Sequence, residues 1–326
     1  MKLRLDFEFY VHLHLGEKDV SEQGNTKHLS SNLFCQAVEQ EVERQRLIRS
    51  TSTIENYLTA IRSFKTFLVQ MGSDSFLCHD LISQYESWLH IRLVRPNTIS
   101  CYMRSLRSLT TKIYGEEYRQ WFKHVYTGHA KTDKRALAAE DIAKLKHTPI
   151  RPGSSLSLTR DLFLFSFYAL GMPFVDMAFL RHEQISDGQI TYYRHKTGQP
   201  VTIKLEPCMQ KIIDQYQDAK RPYVFPLLTS TEASTAYTEY QKALNHYNRA
   251  LKTLAAKSGI SHALTSYMSR HSWASIAYDK NVDLSVISKA LGHANPQHTL
   301  IYIKQINDSR LEEANHKILE CIRIND

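Results

Sequence analysis

Cysteine is scarce in this chain. Its 326 residues hold five, at positions 35, 78, 101, 208 and 321. They are odd in number, scattered, and never form a CxxC pair, which excludes a disulfide framework and a zinc ribbon and points to a reducing compartment. The sixteen histidines never make HExxH or another ligand pair; His12 and His14 share one side of a possible strand with nothing to join them. No metal is therefore expected. GxGxxG, GxxxxGK[ST] and GxSxG are all absent, so neither a nucleotide cofactor nor an esterase-type serine is called for. No apolar run approaches the ~18 residues that a membrane span needs. Met1 to Val20 carries Asp6, Glu8, Glu17 and Lys18 in place of an apolar leader core. The expectation is a cytoplasmic protein with no membrane partner.

What is present is enough for packed cores. Hydrophobic residues make up 42% and aromatic residues 10%, which excludes wholesale disorder, and the length suits two domains. The net charge of +8 is modest but concentrated. Between Ile91 and Arg135 ten basic residues stand against three acidic ones. They include Arg92, Arg95, Arg104, Arg107, Lys131, Lys134 and Arg135, with Tyr102, Tyr114, Tyr118, Trp121 and Phe122 interleaved. A phosphate backbone is the partner such a stretch suits. The plain alternative is a solvated helix face followed by a charged linker.

Periodicity divides the chain. Residues 1–28 alternate weakly and read as an N-terminal extension holding at most a short strand. From residue 29 apolar positions recur at three and four, predicting four helices before residue 115. Ser52 with Glu55 has the spacing of a capping box, Gly72 suits a helix end, and Pro96 punctuates the third and fourth helices. These make a small bundle over 29–127. Residues 128–135 are polar and read as a linker. Beyond it, Leu162–Leu180 predicts a buried helix that breaks at Gly171-Met172-Pro173. Two β-prone runs, 189–194 and 201–205, flank a turn at Lys196–Pro200. Helices are expected at 207–218, 233–258, 266–279 and 284–291, the last closed by Gly292. A final amphipathic helix, Ser309–Ile322, carries Leu311, Ala314, Ile318 and Ile322 on one stripe.

Three pieces of the second half carry chemistry together: Tyr267-Met268-Ser269-Arg270-His271 on one helix, Leu291-Gly292-His293 ending the next, and Tyr302 nine residues later. With Lys196 on an upstream hairpin, this order and spacing resembles the tyrosine recombinase (phage integrase) family. GMPFVDMAFL and SYMSRHSWASIA resemble its Bacteroides-type integrase and invertase branch. The resemblance implies a mainly α fold with a small β-sheet: a helical core-binding bundle and a mixed α/β catalytic domain (136–306) in a C-shaped DNA clamp, with residues 307–326 docking on a neighbouring protomer. It implies site-specific recombination of double-stranded DNA (integration, excision or inversion) through a 3′-phosphotyrosyl intermediate, in a four-protomer synapse in the bacterial nucleoid. Tyr302 would be the nucleophile, Arg270 the stabiliser of phosphate charge, His293 a phosphate ligand and aid to proton transfer, and Lys196 the general acid. No cofactor is implied, because the phosphotyrosyl bond conserves the energy of the phosphodiester. With only 28 residues before the bundle, a simple recombinase is expected over one with a separate arm-binding domain.

Two departures stand out. The family's first arginine aligns with Pro173, and Leu170 holds the place before Gly171 where the branch resembled has an arginine. Arg160 and Arg181 are the nearest replacements. Tyr267 stands where the family has a histidine one turn before Arg270, and His271 reads as a structural residue. Loss of one charge-stabilising guanidinium costs about 10²–10³ in rate. The alternative function is thus a catalytically impaired, recombinase-derived DNA-binding or regulatory protein.

Overall fold

The computed structural model describes residues 29–72, 76–130, 136–293, 299 and 318–320. The chain forms two compact units, divided between Thr132 and Asp133. No helix among the described residues is long and apolar enough to cross a membrane. The expected strand before residue 29 lies outside the described residues. So does the final helix, except for residues 318–320, which are helical and exposed.

The first unit is a four-helix bundle with a two-residue antiparallel pair, β1 (Leu29–Ser30) with β2 (Phe76–Leu77). Its helices are α1 (Ser31–Arg46), α2 (Thr51–Met71), α3 (His79–Ile91) and α4 (Pro96–Tyr114). The three-and-four spacing puts Ile54, Ile61, Phe64 and Leu68 of α2 against Ile99, Met103, Leu106 and Leu109 of α4 in one core. Each such side chain contributes roughly 1.5–3 kcal/mol on burial. Phe64, Phe67, Tyr85 and Trp88 form an aromatic cluster with centroids 5.0–6.0 Å apart, and the buried Tyr85 hydroxyl donates to Ser63 at 2.8 Å. The expected capping box is displaced. α2 starts at Thr51 behind Ser50, whose hydroxyl meets those of Ser52 and Thr53 instead of a backbone N–H. Gly72 closes α2 at φ +91° as anticipated. A 3₁₀ segment, Glu116–Phe122, follows α4 and buries Phe122. The start of the expected linker is tied to α4: Asn97 exchanges two hydrogen bonds with the Ala130 backbone, and Ser100 donates to the Gly128 carbonyl.

The second unit is built around α6 (Ser155–Tyr168), buried from Leu162 to Ser166 on every side. A helix apolar all round belongs inside. α5 (Ala139–His147) precedes it. α8 (Pro207–Tyr216), α9 (Ala233–Lys257) and α10 (Met268–Asp279) pack around it. The chain breaks where Gly171-Met172-Pro173 predicts: Leu170 and Gly171 take positive φ, and Pro173 caps the short α7 (Phe174–Ala178). Then comes an antiparallel sheet in the order β3 (Ile185–Ser186), β4 (Gln189–Tyr193), β5 (Pro200–Lys204). Ile190, Tyr192, Val201 and Ile203 alternate into the core. α11 (Leu284–Ala290) packs on α10 through Ala274, Ala277, Ile287 and Leu291. Asp283 caps α11 through the Ser285 N–H, and Gly292 follows it at φ +61°.

Candidate active site

Arg270 stands at the centre of the second unit's polar chemistry. It lies on the first turn of α10 and is only 1% exposed. Its guanidinium donates from Nη1 to the Gly171 carbonyl at 3.0 Å and from Nη2 to the Leu291 carbonyl and to His293 Nε2, the last at 3.2 Å. The surroundings are cut to fit. A Cβ on Gly171 would stand 2.8 Å from Arg270 Cα, so only glycine allows the break after α6 to reach the arginine. The buried hydroxyls of Ser166 and Ser269 meet at 2.6 Å, and Ser166 also bonds the Met172 carbonyl, fastening α6 to α10 beside this point.

His293 follows Gly292 at the end of α11. Arginine never accepts a hydrogen bond, so His293 Nε2 is the acceptor from Arg270. Its Nδ1 then carries the proton and donates to the buried Thr299 hydroxyl at 2.9 Å. His293 thus links the Arg270 guanidinium on one ring nitrogen to the Thr299 hydroxyl on the other.

Lys196 lies in the β4–β5 turn and is exposed. The turn is closed by Arg194 N–H to Gln199 O at 2.9 Å and by Gly198 N–H to Arg194 O at 2.8 Å, with Gly198 at φ +66°. Its root is fixed by two residues that sequence reasoning passed over. Asp176 on α7 accepts the His195 backbone N–H at 2.9 Å and faces Arg194 Nε at 2.8 Å across a contact of charges with no aligned hydrogen bond. Arg194, 6% exposed, also donates from Nη1 to the Leu291 carbonyl, the same oxygen that Arg270 uses. Burial pushes the Asp176 carboxyl up, while the His195 N–H and the Arg194 and Arg270 charges pull it down. The one acid between Leu162 and Leu180 was the available signal for Asp176. Arg194 was hidden because its partners lie far off in sequence. A concavity beside this cluster is lined by Asp176, Phe179, Arg181, Tyr192, Arg194 and His195.

The other candidates divide. Arg160 lies elsewhere, bonded to Asp161 at 2.9 Å and to the Thr148 carbonyl at 3.3 Å. Arg181 is exposed, with its guanidinium over the Tyr223 ring. Tyr267 caps α10, 42% exposed, its ring against the edge of His271 at 5.1 Å. Tyr302 lies outside the described residues.

In the first unit, α2 and α4 line a groove with Thr53, Asn56, Cys101, Arg104, Ser105 and Ser108. Arg104, Arg107 and Arg119 share the concavity next to it. Burial lowers the Arg107 pKa, with its two arginine neighbours adding to the effect. Arg92 stacks 4.7 Å over Trp88, and Arg95, exposed, caps α4. Lys131, Lys134 and Arg135 lie outside the described residues. The interleaved aromatics do not form a stacking platform: Tyr102, Tyr114 and Trp121 pack on the bundle core, and Phe122 is inside it.

Two family models match the chain: a phage integrase SAM-like domain over residues 33–125 and the phage integrase family over residues 135–308. No curated protein sequence matches. Among solved structures the chain is similar to a lambda integrase fragment, seen as a dimer on a core site, at 13% identity and TM-score 0.61, covering 83% of this chain and 95% of that one. It is similar to an integrase of transposon Tn1549, solved with transposon right-end DNA, at 10% identity and TM-score 0.61, covering 88% and 99%. It is also similar to lambda integrase as a tetramer on a Holliday junction, at 13% identity and TM-score 0.60, covering 85% and 78%. These likenesses concern the fold.

Proposed function

This chain belongs to the phage integrase family, and from that premise we propose that it breaks and rejoins DNA at specific sites by transesterification. The Tyr302 hydroxyl attacks the scissile phosphorus. A bond from phosphorus to the tyrosine oxygen forms, the bond to the 5′ oxygen breaks, and the 5′ oxygen leaves with a proton supplied by Lys196. The phenol's proton passes to a base, a role open to His293 once its Nε2 exchanges the Arg270 hydrogen bond for the phenol. Arg270 carries the charge on the non-bridging oxygens. Attack of a new 5′ hydroxyl on the phosphotyrosine reverses these steps and joins a different strand, so the number of phosphodiester bonds is conserved.

The observation that carries this reading is the convergence of Arg270 and His293, from two helices, on the end of α11. The first unit supplies DNA contacts through Arg104 and Arg107 and, beyond the described residues, through Lys131, Lys134 and Arg135. By likeness to the tetrameric integrase on a Holliday junction, four copies act together. The GMPFVDMAFL and SYMSRHSWASIA segments support the Bacteroides-type branch and a place in the bacterial nucleoid.

A suicide substrate, nicked beside the cleavage site so that the 5′ end diffuses away, tests the reading. A covalent protein–DNA adduct that disappears in Tyr302→Phe is expected. Wild-type protein that binds the site but forms no adduct overturns it.

A further inference from the structure

We propose that Arg194, on the β4–β5 hairpin, is the second guanidinium of the phosphate site and takes the role that Pro173 cannot fill, with Asp176 as its positioning residue; this rests on the recombinase reading above.

Three observations carry it. First, Arg194 and Arg270 come from elements distant in sequence yet donate to one backbone oxygen, that of Leu291. Two like charges drawn to a single acceptor repel one another unless an anion joins them. Second, the charges do not balance. Both side chains are buried, at 6% and 1% exposure, and Asp176 is the one carboxylate recorded against them among the described residues. Buried charge persists where it is paired, and a phosphodiester carries the single negative charge that this trio is short of. Third, Arg270 Nε has no aligned acceptor, although unmet buried donors are costly, and Arg194 Nε has only its ionic contact with Asp176. Arg160 is bound elsewhere, and Arg181, although it lines the same concavity, is exposed with its guanidinium over Tyr223 and shares no acceptor with Arg270.

The hairpin explains how the site is assembled. Asp176 receives the His195 N–H and the Arg194 charge together, so one carboxylate sets the arginine and the root of the turn that presents Lys196. A Cβ on Gly292 would stand 3.2 Å from Arg194 Cγ and 3.0 Å from Val201 Cγ2, so the end of α11 is kept bare where the hairpin closes on it.

The alternative is that Arg194 only clips the hairpin to α11. The two roles separate on a substrate whose scissile phosphate is replaced by an uncharged methylphosphonate. On the ordinary phosphodiester suicide substrate, full-length Arg194→Ala is expected to form adduct about 10²–10³-fold more slowly than wild type. On the methylphosphonate, which has no anionic oxygen to stabilise, the difference from wild type should shrink to within about tenfold. Arg194→Lys, which keeps the charge but loses the fork, should lie between the two on the phosphodiester. An equal loss on both substrates makes Arg194 a structural clip and overturns the proposal, as does wild-type speed in Arg194→Ala. Absence of adduct from wild type would instead fell the recombinase reading, and this inference with it.

Discussion

Gly171 shows how one residue holds the site's geometry. It combines φ +73° with a Cβ position 2.8 Å from Arg270 Cα, so alanine there meets both backbone strain and a collision with main chain that cannot swing aside. Gly198, at φ +66° with open space around it, is the internal control, because alanine there meets only the strain. Gly171→Ala is expected to lower unfolding free energy by more than the roughly 1 kcal/mol of a left-handed alanine, toward 3 kcal/mol. Gly198→Ala should stay near 1 kcal/mol. Denaturant midpoints for the pair check this, and equal shifts would sink the close-approach account. At this scale order and spacing single out Arg270, His293 and Lys196 as candidates, and the structure brings the first two into contact. Arg194 and Asp176 went unread because their meaning is a pairing: the partners are 18 residues apart with each other, and Arg194 is 97 from Leu291.

Among elements, α9 offers a test through its start. Glu232 accepts the backbone N–H groups of Ser234 and Thr235 and the Ser234 hydroxyl, and these bonds hold its carboxyl down to about 2, against an ordinary 4.5. A depressed carboxyl stabilises the fold above its unfolded pKa and loses that contribution as pH falls through the folded value. The cap should therefore persist on acidification through pH 4.5 and fail only toward pH 2. NMR titration of the Glu232 side chain checks it, and a midpoint near 4.5 would sink it. The long helices were readable because burial against a core leaves a three-and-four period, as in α2 and α4. α5 escaped because nine residues with two buried positions, Ile142 and Leu145, make no detectable period. The first turns of α6 escaped because Ser155–Asp161 look polar while Ser157, Thr159 and Asp161 are buried. The Ser52–Glu55 cap failed because Ser52 is already the second residue of α2, and the N-cap position falls to Ser50.

For the molecule as a whole, the net charge of +8 matters less than where cations meet phosphate. Arg104 and Arg107, beside Arg119 in one concavity, are expected to contribute through counterion release. Alanine at either should reduce the slope of log affinity for DNA against log salt by about 1, weakening binding to all sequences alike. Fluorescence anisotropy on cognate and scrambled duplexes over a salt series measures it, and an unchanged slope would remove these residues from the interface. One further consequence lies in the hairpin. Arg194 and Lys196 are two residues apart, yet one is buried against Asp176 and the other is in solvent. Folding has already taken the rotamer freedom of the first, while the second keeps up to ~2 kcal/mol of it until a strand arrives. In the proposed mechanism, charge stabilisation by Arg194 would thus be ready before DNA is met, while proton delivery by Lys196 would become ordered only in the complex, so a cooler assay should ease the second requirement and leave the first untouched.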